Sequence, residues 1–156
     1  MSSRAQASDL RSIRLLCVED NPDDEALAIR SLTKSNVTNR IVVARDGLEA
    51  LSLLFGEGGH APITPAVILM DLKLPKMSGI ETLARIRANK RTHTLPVVML
   101  TTSDEEVDMI RSYEFGVNSY VRKPIDFAEF TNVTAQLGVY WLLLNKRPRA
   151  MTPFGD

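Results

Sequence analysis

A doubly wound α/β fold, with five parallel strands in one sheet and helices on both faces, is predicted by three observations. Short apolar runs alternate five times with longer segments of helical period. Those runs are apolar on both faces, as strands covered by helices on both sides must be. The chain has 156 residues, 44% hydrophobic and 24% charged, enough for one full core without a disulfide or metal staple.

The elements follow in order. Ile13 to Val18 is the first strand and stops abruptly at the acidic cluster Glu19 to Glu25. Pro22 suits the first position of a helix, and Asp23, Asp24 and Glu25 complement the positive end of its dipole. These three are read as dipole and solubility residues only. Ala26, Leu27, Ile29 and Leu32 continue at helical spacing. Arg40 to Ala44 is the second strand. Asp46 is placed to cap the next helix, with Glu49 three residues later, and Leu48, Leu51, Leu54 and Phe55 mark its buried face. Gly56 to Pro65 reads as loop. Ala66 to Met70 is the third strand and ends at Asp71; after a loop from Leu72 to Gly79, Ile80, Leu83, Ala84 and Ile86 line a helix. Pro96 to Leu100 is the fourth strand, ending at Thr101. A helix from Asp104 carries Val107, Ile110 and Phe115, with Gly116 suited to its C′ position. Asn118 to Val121 is the fifth strand, ending at Lys123-Pro124, and the last helix runs from about Asp126 to Leu144. One domain over 11–145 is expected, with flexible arms at 1–10 and 146–156 and no effector domain.

Composition narrows the function classes. Nineteen Lys and Arg balance nineteen Asp and Glu, so the basic excess of a general nucleic-acid binder is missing and no direct nucleic-acid contact is expected. The single cysteine, Cys17, excludes an internal disulfide framework and reads as an inert core residue. No signal peptide is visible, and Val139 to Leu144 falls far short of the roughly 20 apolar residues a membrane span needs. A cytoplasmic protein with no membrane partner is expected.

In an open parallel sheet, ligands bind at the carboxyl ends of the strands. Glu19, Asp20, Asp71, Thr101 and Lys123 stand at those ends. Three carboxylates packed together repel unless a cation intervenes. An all-oxygen donor set points to a hard divalent ion, and Mg²⁺ is expected. Lys123 and Thr101 complete a pocket for a phosphoryl group, as cation and hydroxyl donor. Asp71 is the natural nucleophile, since carboxylates form aspartyl-phosphate intermediates.

The set Glu19-Asp20, Met70-Asp71 through Ser78-Gly79, Thr101 and Lys123-Pro124 resembles the receiver domain of two-component response regulators over about Ile13 to Phe130. The resemblance implies a flavodoxin-like (βα)5 fold in which Asp71 accepts a phosphoryl group from the phosphohistidine of a sensor histidine kinase. It implies Mg²⁺ held by Asp20, Asp71 and the Lys73 backbone carbonyl, with Glu19 assisting through water. It further implies Thr101 and Tyr120 as a switch pair and a cis bond before Pro124 that aims Lys123. Glu19 stands where Asp is common, and Thr102 where a smaller residue is frequent. Two alternatives use similar chemistry. A haloacid-dehalogenase phosphatase expects an acid two residues after the nucleophile, where this chain has Lys73; a phosphorelay shuttle would use identical residues.

The last helix is unusually apolar. Phe127, Phe130, Thr134, Leu137, Trp141 and Leu144 form the stripe that covers the sheet, whereas Val133, Val139, Tyr140, Leu142 and Leu143 lie off it. This end is expected to be a protein interface, made by Val133, Leu137 and the run Val139 to Leu144. Leu137 to Asn145 also resembles the tail of small regulators partnered with bacterial phytochromes, which implies a phytochrome-type kinase partner and a homodimer paired through this region.

Overall fold

The computed structural model describes residues 15–34, 41–59, 61–102, 105–123 and 127–141. The arms expected at 1–10 and 146–156 lie outside them, as do Pro124 with its expected cis bond, and Leu142, Leu143 and Leu144. Ten elements alternate: β1 (Leu15–Val18), α1 (Pro22–Lys34), β2 (Ile41–Ala44), α2 (Gly47–Phe55), β3 (Val67–Met70), α3 (Gly79–Ala88), β4 (Val97–Thr101), α4 (Glu106–Glu114), β5 (Ser119–Arg122) and α5 (Phe127–Val139). The strands form one parallel sheet in the order β2-β1-β3-β4-β5. The expected fold class is therefore the observed one.

The two-residue period of the strands divides the core. Leu16, Val18, Ile68, Met70, Val97 and Met99 face α2 and α3, where Leu51, Leu54, Leu83 and Ile86 meet them. Leu15, Cys17, Val67, Leu69 and Val98 face the other way, against Leu32 of α1 and against Leu137 and Trp141 at the α5 end. Burial and the neighbouring Glu19 carboxylate push the Cys17 thiol up to about 12, so it stays protonated and inert.

Two expectations about faces, at Leu48 and Trp141, are corrected. Leu48 is 49% exposed, because α2 turns Ala50, Leu51 and Leu54 inward instead. Val107, Ile110 and Phe115 are 64%, 50% and 41% exposed, and Ser112 is the buried residue of α4. The apolar residues that the sequence marks on that helix face solvent. Trp141, expected in an interface, is 9% exposed within the core, and Leu137 packs beside it. A sheet face needs those two side chains as cover.

Helix ends follow their caps. Asn21 Oδ1 accepts from the Asp23 and Asp24 N–H groups at 2.9 and 3.2 Å and starts α1. Gly116, at φ 94°, ends α4 as expected, and its carbonyl accepts from Arg87, which ties α3 to the start of β5. Asp46 caps α2 by accepting from the Glu49 N–H at 2.7 Å, with Lys76 Nζ 3.4 Å away. The Glu49 N–H holds the Asp46 carboxyl below its ordinary range; burial opposes this and Lys76 adds to it. Asp46→Ala is expected to cost about 1 kcal/mol at neutral pH. Because the folded-state value is lowered, this contribution is complete above the ordinary carboxylate range and disappears as pH falls through the lowered value. Urea unfolding of both proteins from neutral to acid pH should show the gap between them narrowing.

Candidate functional site

Glu19, Asp71 and Lys123 each sit one step beyond a strand end, with the backbone pinned to the neighbouring strand, and Thr101 is the last residue of its own strand. The Glu19 N–H donates to Ala44 O of β2 at 2.9 Å, and the Asp71 N–H donates to Val18 O of β1 at 3.1 Å. The Lys123 N–H donates to Thr101 O of β4 at 2.6 Å. The chain runs from β1 to β2 on one side and then crosses back past β1 to β3 on the other, so the crevice between Glu19 and Asp71 lies at the sheet's topological switch point.

The loop after Asp71 is fixed by its own sequence. Gly79 N–H donates to Leu72 O at 2.7 Å, and a Cβ on Gly79 would stand 2.4 Å from the Asp71 carbonyl oxygen. Only glycine permits that approach. Between them, Lys76 adopts φ 68° while the Met77 N–H donates to Pro75 O at 2.7 Å, a tight three-residue turn. The exposed Lys73 lies at the start of this loop, with its N–H 3.4 Å from Asp71 Oδ1.

Oxygens of Glu19, Asp20 and Asp71 lie within 4.8 Å of one another, the carboxylate set expected at the strand ends. Glu19 is buried, Asp71 half-buried and Asp20 exposed. Such a donor set fits a hard divalent cation. Lys123 Nζ reaches into the same crevice and donates to Glu19 Oε1, to Asp24 Oδ2 at 2.8 Å and to Asp71 Oδ2 at 3.2 Å. Burial raises the Glu19 carboxyl above its ordinary value, against the pull of Lys123. Burial acts to lower the Lys123 ammonium, yet hydrogen bonds to Asp24 and Glu19 and the charge of Asp71 hold it above its ordinary value. The ammonium is therefore charged at any physiological pH. Thr101, fully buried, ends the adjacent strand, and Tyr120 is half-buried against the core on the α2–α3 face.

Asp24 is the residue the sequence reading missed. Its place in the first turn of α1 made it indistinguishable from Asp23 and Glu25 as a dipole residue, yet it pairs with a lysine 99 positions away. No periodic signal marks it, because Asp20 and Asn21 precede the helix and helical spacing does not relate them to Asp24. At the other end of the expected site list, Tyr140 is 49% exposed and Val133 is half-buried.

The chain is similar to known proteins over most of its length. A family model described as the response regulator receiver domain matches residues 15–135. A probable methanogenesis regulatory protein, FilR2 of Methanothrix harundinacea, is 38% identical over 134 residues, covering 86% of each chain. Response regulator Rcp1 of Synechocystis is 38% identical over 130 residues, covering 82% of this chain and 88% of that protein. The solved Mn(2+)-bound form of Rcp1 superposes with a TM-score of 0.80, at 37% identity over 86% of this chain and 97% of that one. The phosphorylated cyanobacterial phytochrome response regulator RcpA gives 0.81, at 35% identity and the same coverage. Among the described residues no helix is long and apolar enough to cross a membrane. An acidic crevice at the switch point of a five-stranded parallel sheet, with a charged lysine reaching into it, is thus met in a chain that belongs to the response regulator receiver domain family.

Proposed function

We propose that this chain is a cytoplasmic, non-enzymatic phosphoacceptor that takes a phosphoryl group from a sensor histidine kinase onto Asp71. One observation carries the reading: Asp71 stands half-buried between two further carboxylates and a charged lysine at the switch point. An Asp71 carboxylate oxygen attacks the phosphorus of the phosphohistidine. The P–N bond breaks, its electron pair leaves with the imidazole nitrogen, and an acyl phosphate remains on Asp71. Lys123 and Thr101 take the phosphoryl oxygens, and their fixed backbones mean little reorganisation is needed. Glu19, Asp20, Asp71 and the Lys73 carbonyl would hold Mg²⁺. That ion supplies neutralisation of the phosphoryl charge when bound.

The output is a changed surface. A phosphoryl group adds nearly two charges, which bias a two-state element, here the Thr101 and Tyr120 pair. Tyr120 lies on β5, next to α4 with its exposed Val107, Met109, Ile110, Tyr113 and Phe115. A phytochrome-type kinase is favoured as the partner, because RcpA, a phytochrome response regulator, is similar over nearly its whole length. Homodimerisation uses the solvent-facing apolar residues of α4 and Tyr140 of the α5 end, with Leu137 and Trp141 withdrawn into the core. Light scattering across a concentration series should therefore show a dimer, and a strict monomer that stays monomeric after phosphorylation removes this part of the proposal.

The acceptor role is tested by mixing the chain with an autophosphorylated histidine kinase in magnesium chloride. Label should pass to the chain and should stop passing when EDTA is added. Label that stays on the kinase under both conditions overturns the reading.

A further inference from the structure

Lys123 has three N–H donors, and three carboxylates take them. They are not equivalent. The Glu19 side chain is 6% exposed and also accepts from the Asn21 N–H at 3.1 Å. Asp71 sits at 3.2 Å, the longest of the contacts, with a side chain 13% exposed. Asp24 sits at 2.8 Å, and its side chain is 27% exposed. Its backbone is held separately, since the Asp24 N–H is capped by Asn21 Oδ1 at 3.2 Å whether or not the carboxylate is engaged.

A phosphoryl group on Asp71 inherits the donor that Lys123 gives to Asp71 Oδ2 and presents further oxygens, so a second donor has to come from Glu19 or from Asp24. Withdrawing one from Glu19 would leave a buried carboxylate without its cation, the costly outcome. Withdrawing one from Asp24 exposes a carboxylate that water can reach, and such ion pairs contribute little. We propose that Asp24 is a positioning residue: it holds the Lys123 ammonium in the resting protein and releases it to the arriving phosphoryl oxygen. Its negative charge also opposes the phosphoryl charge at the same place, so the latch weakens phosphoryl binding while keeping the lysine aimed. The inference rests on the acceptor reading above.

The probe is beryllofluoride, a phosphoryl stand-in, titrated in saturating magnesium chloride and read by fluorine NMR on the intact chain. Asp24→Asn should bind it about fivefold more tightly than wild type, the size of a partly exposed ion pair. Asp24→Ser should do the same. Asp23→Asn removes the same charge from the same turn, but Asp23 is exposed and caps against Asn21 without touching Lys123; its affinity should match wild type. Without beryllofluoride, the Lys123 ammonium nitrogen resonance should move in Asp24→Asn and stay in place in Asp23→Asn. A gain of affinity is a result that simple damage to the fold does not give. Equal or weaker binding by Asp24→Asn relative to Asp23→Asn overturns the latch alone, provided wild-type binding is present and lost in Asp71→Asn. Absence of binding by wild type overturns the acceptor reading and the latch together.

Discussion

Asp71→Asn will carry no label after incubation with a phosphorylated kinase, while its fold is retained. The substitution keeps the size and planarity of the side chain, so the β3 end, the Asp71 N–H bond to Val18 O and the loop back to Gly79 have no reason to move. What is lost is the anionic oxygen. An amide oxygen is a poor nucleophile toward phosphorus, and transfer should fall by roughly a thousandfold or more, in line with other nucleophile deletions. Two side effects separate this outcome from unfolding. One of three clustered carboxylates becomes neutral, so the divalent cation should bind more weakly. Lys123 keeps Glu19 and Asp24, so its charge remains compensated. Intact mass after transfer, together with a thermal melt of each protein, is the measurement. Full labelling of the variant would move the acceptor to another residue.

The strand ends were legible because each apolar run stops at a polar residue that chemistry can use. Glu19, Asp71, Thr101 and Lys123 needed only the rule that parallel sheets bind ligands at their carboxyl ends. Asp24 was not legible, since first-turn acids satisfy a helix dipole in any fold and only tertiary closeness distinguishes this one. The apolar residues of α4 were legible but their orientation was not, because helical period reports amphipathicity and is silent about which side meets the sheet. Leu48 failed for a related reason: at the helix entrance a leucine can keep the period and still lie over solvent. In α5, Leu137 and Trp141 belonged to two readings at once, stripe and interface. The opposite sheet face, lined by Leu15, Cys17, Leu69 and Val98, decides for the stripe.

Lys123→Met should be the most destabilising change at the site, and divalent cation should return part of what is lost. The lysine side chain is 4% exposed and faces Glu19 at 6%. Methionine fills much the same space without the charge, which leaves Glu19 buried beside Asp24 and Asp71 with no cation among them. Breaking a buried pair by removing one partner costs about 3 kcal/mol or more. The other two carboxylates meet water, so the variant should lie near the lower figure in EDTA. Removing the ammonium also removes a positive charge that competes with a metal ion for the same oxygens. The variant should thus bind divalent cation more tightly than wild type, and its stabilisation by a given concentration should be larger. Urea unfolding of both proteins, in EDTA and in saturating magnesium chloride, reads the two effects together. A deficit of equal size in both solutions would mean that the carboxylates Lys123 leaves behind are not the ones that hold the metal.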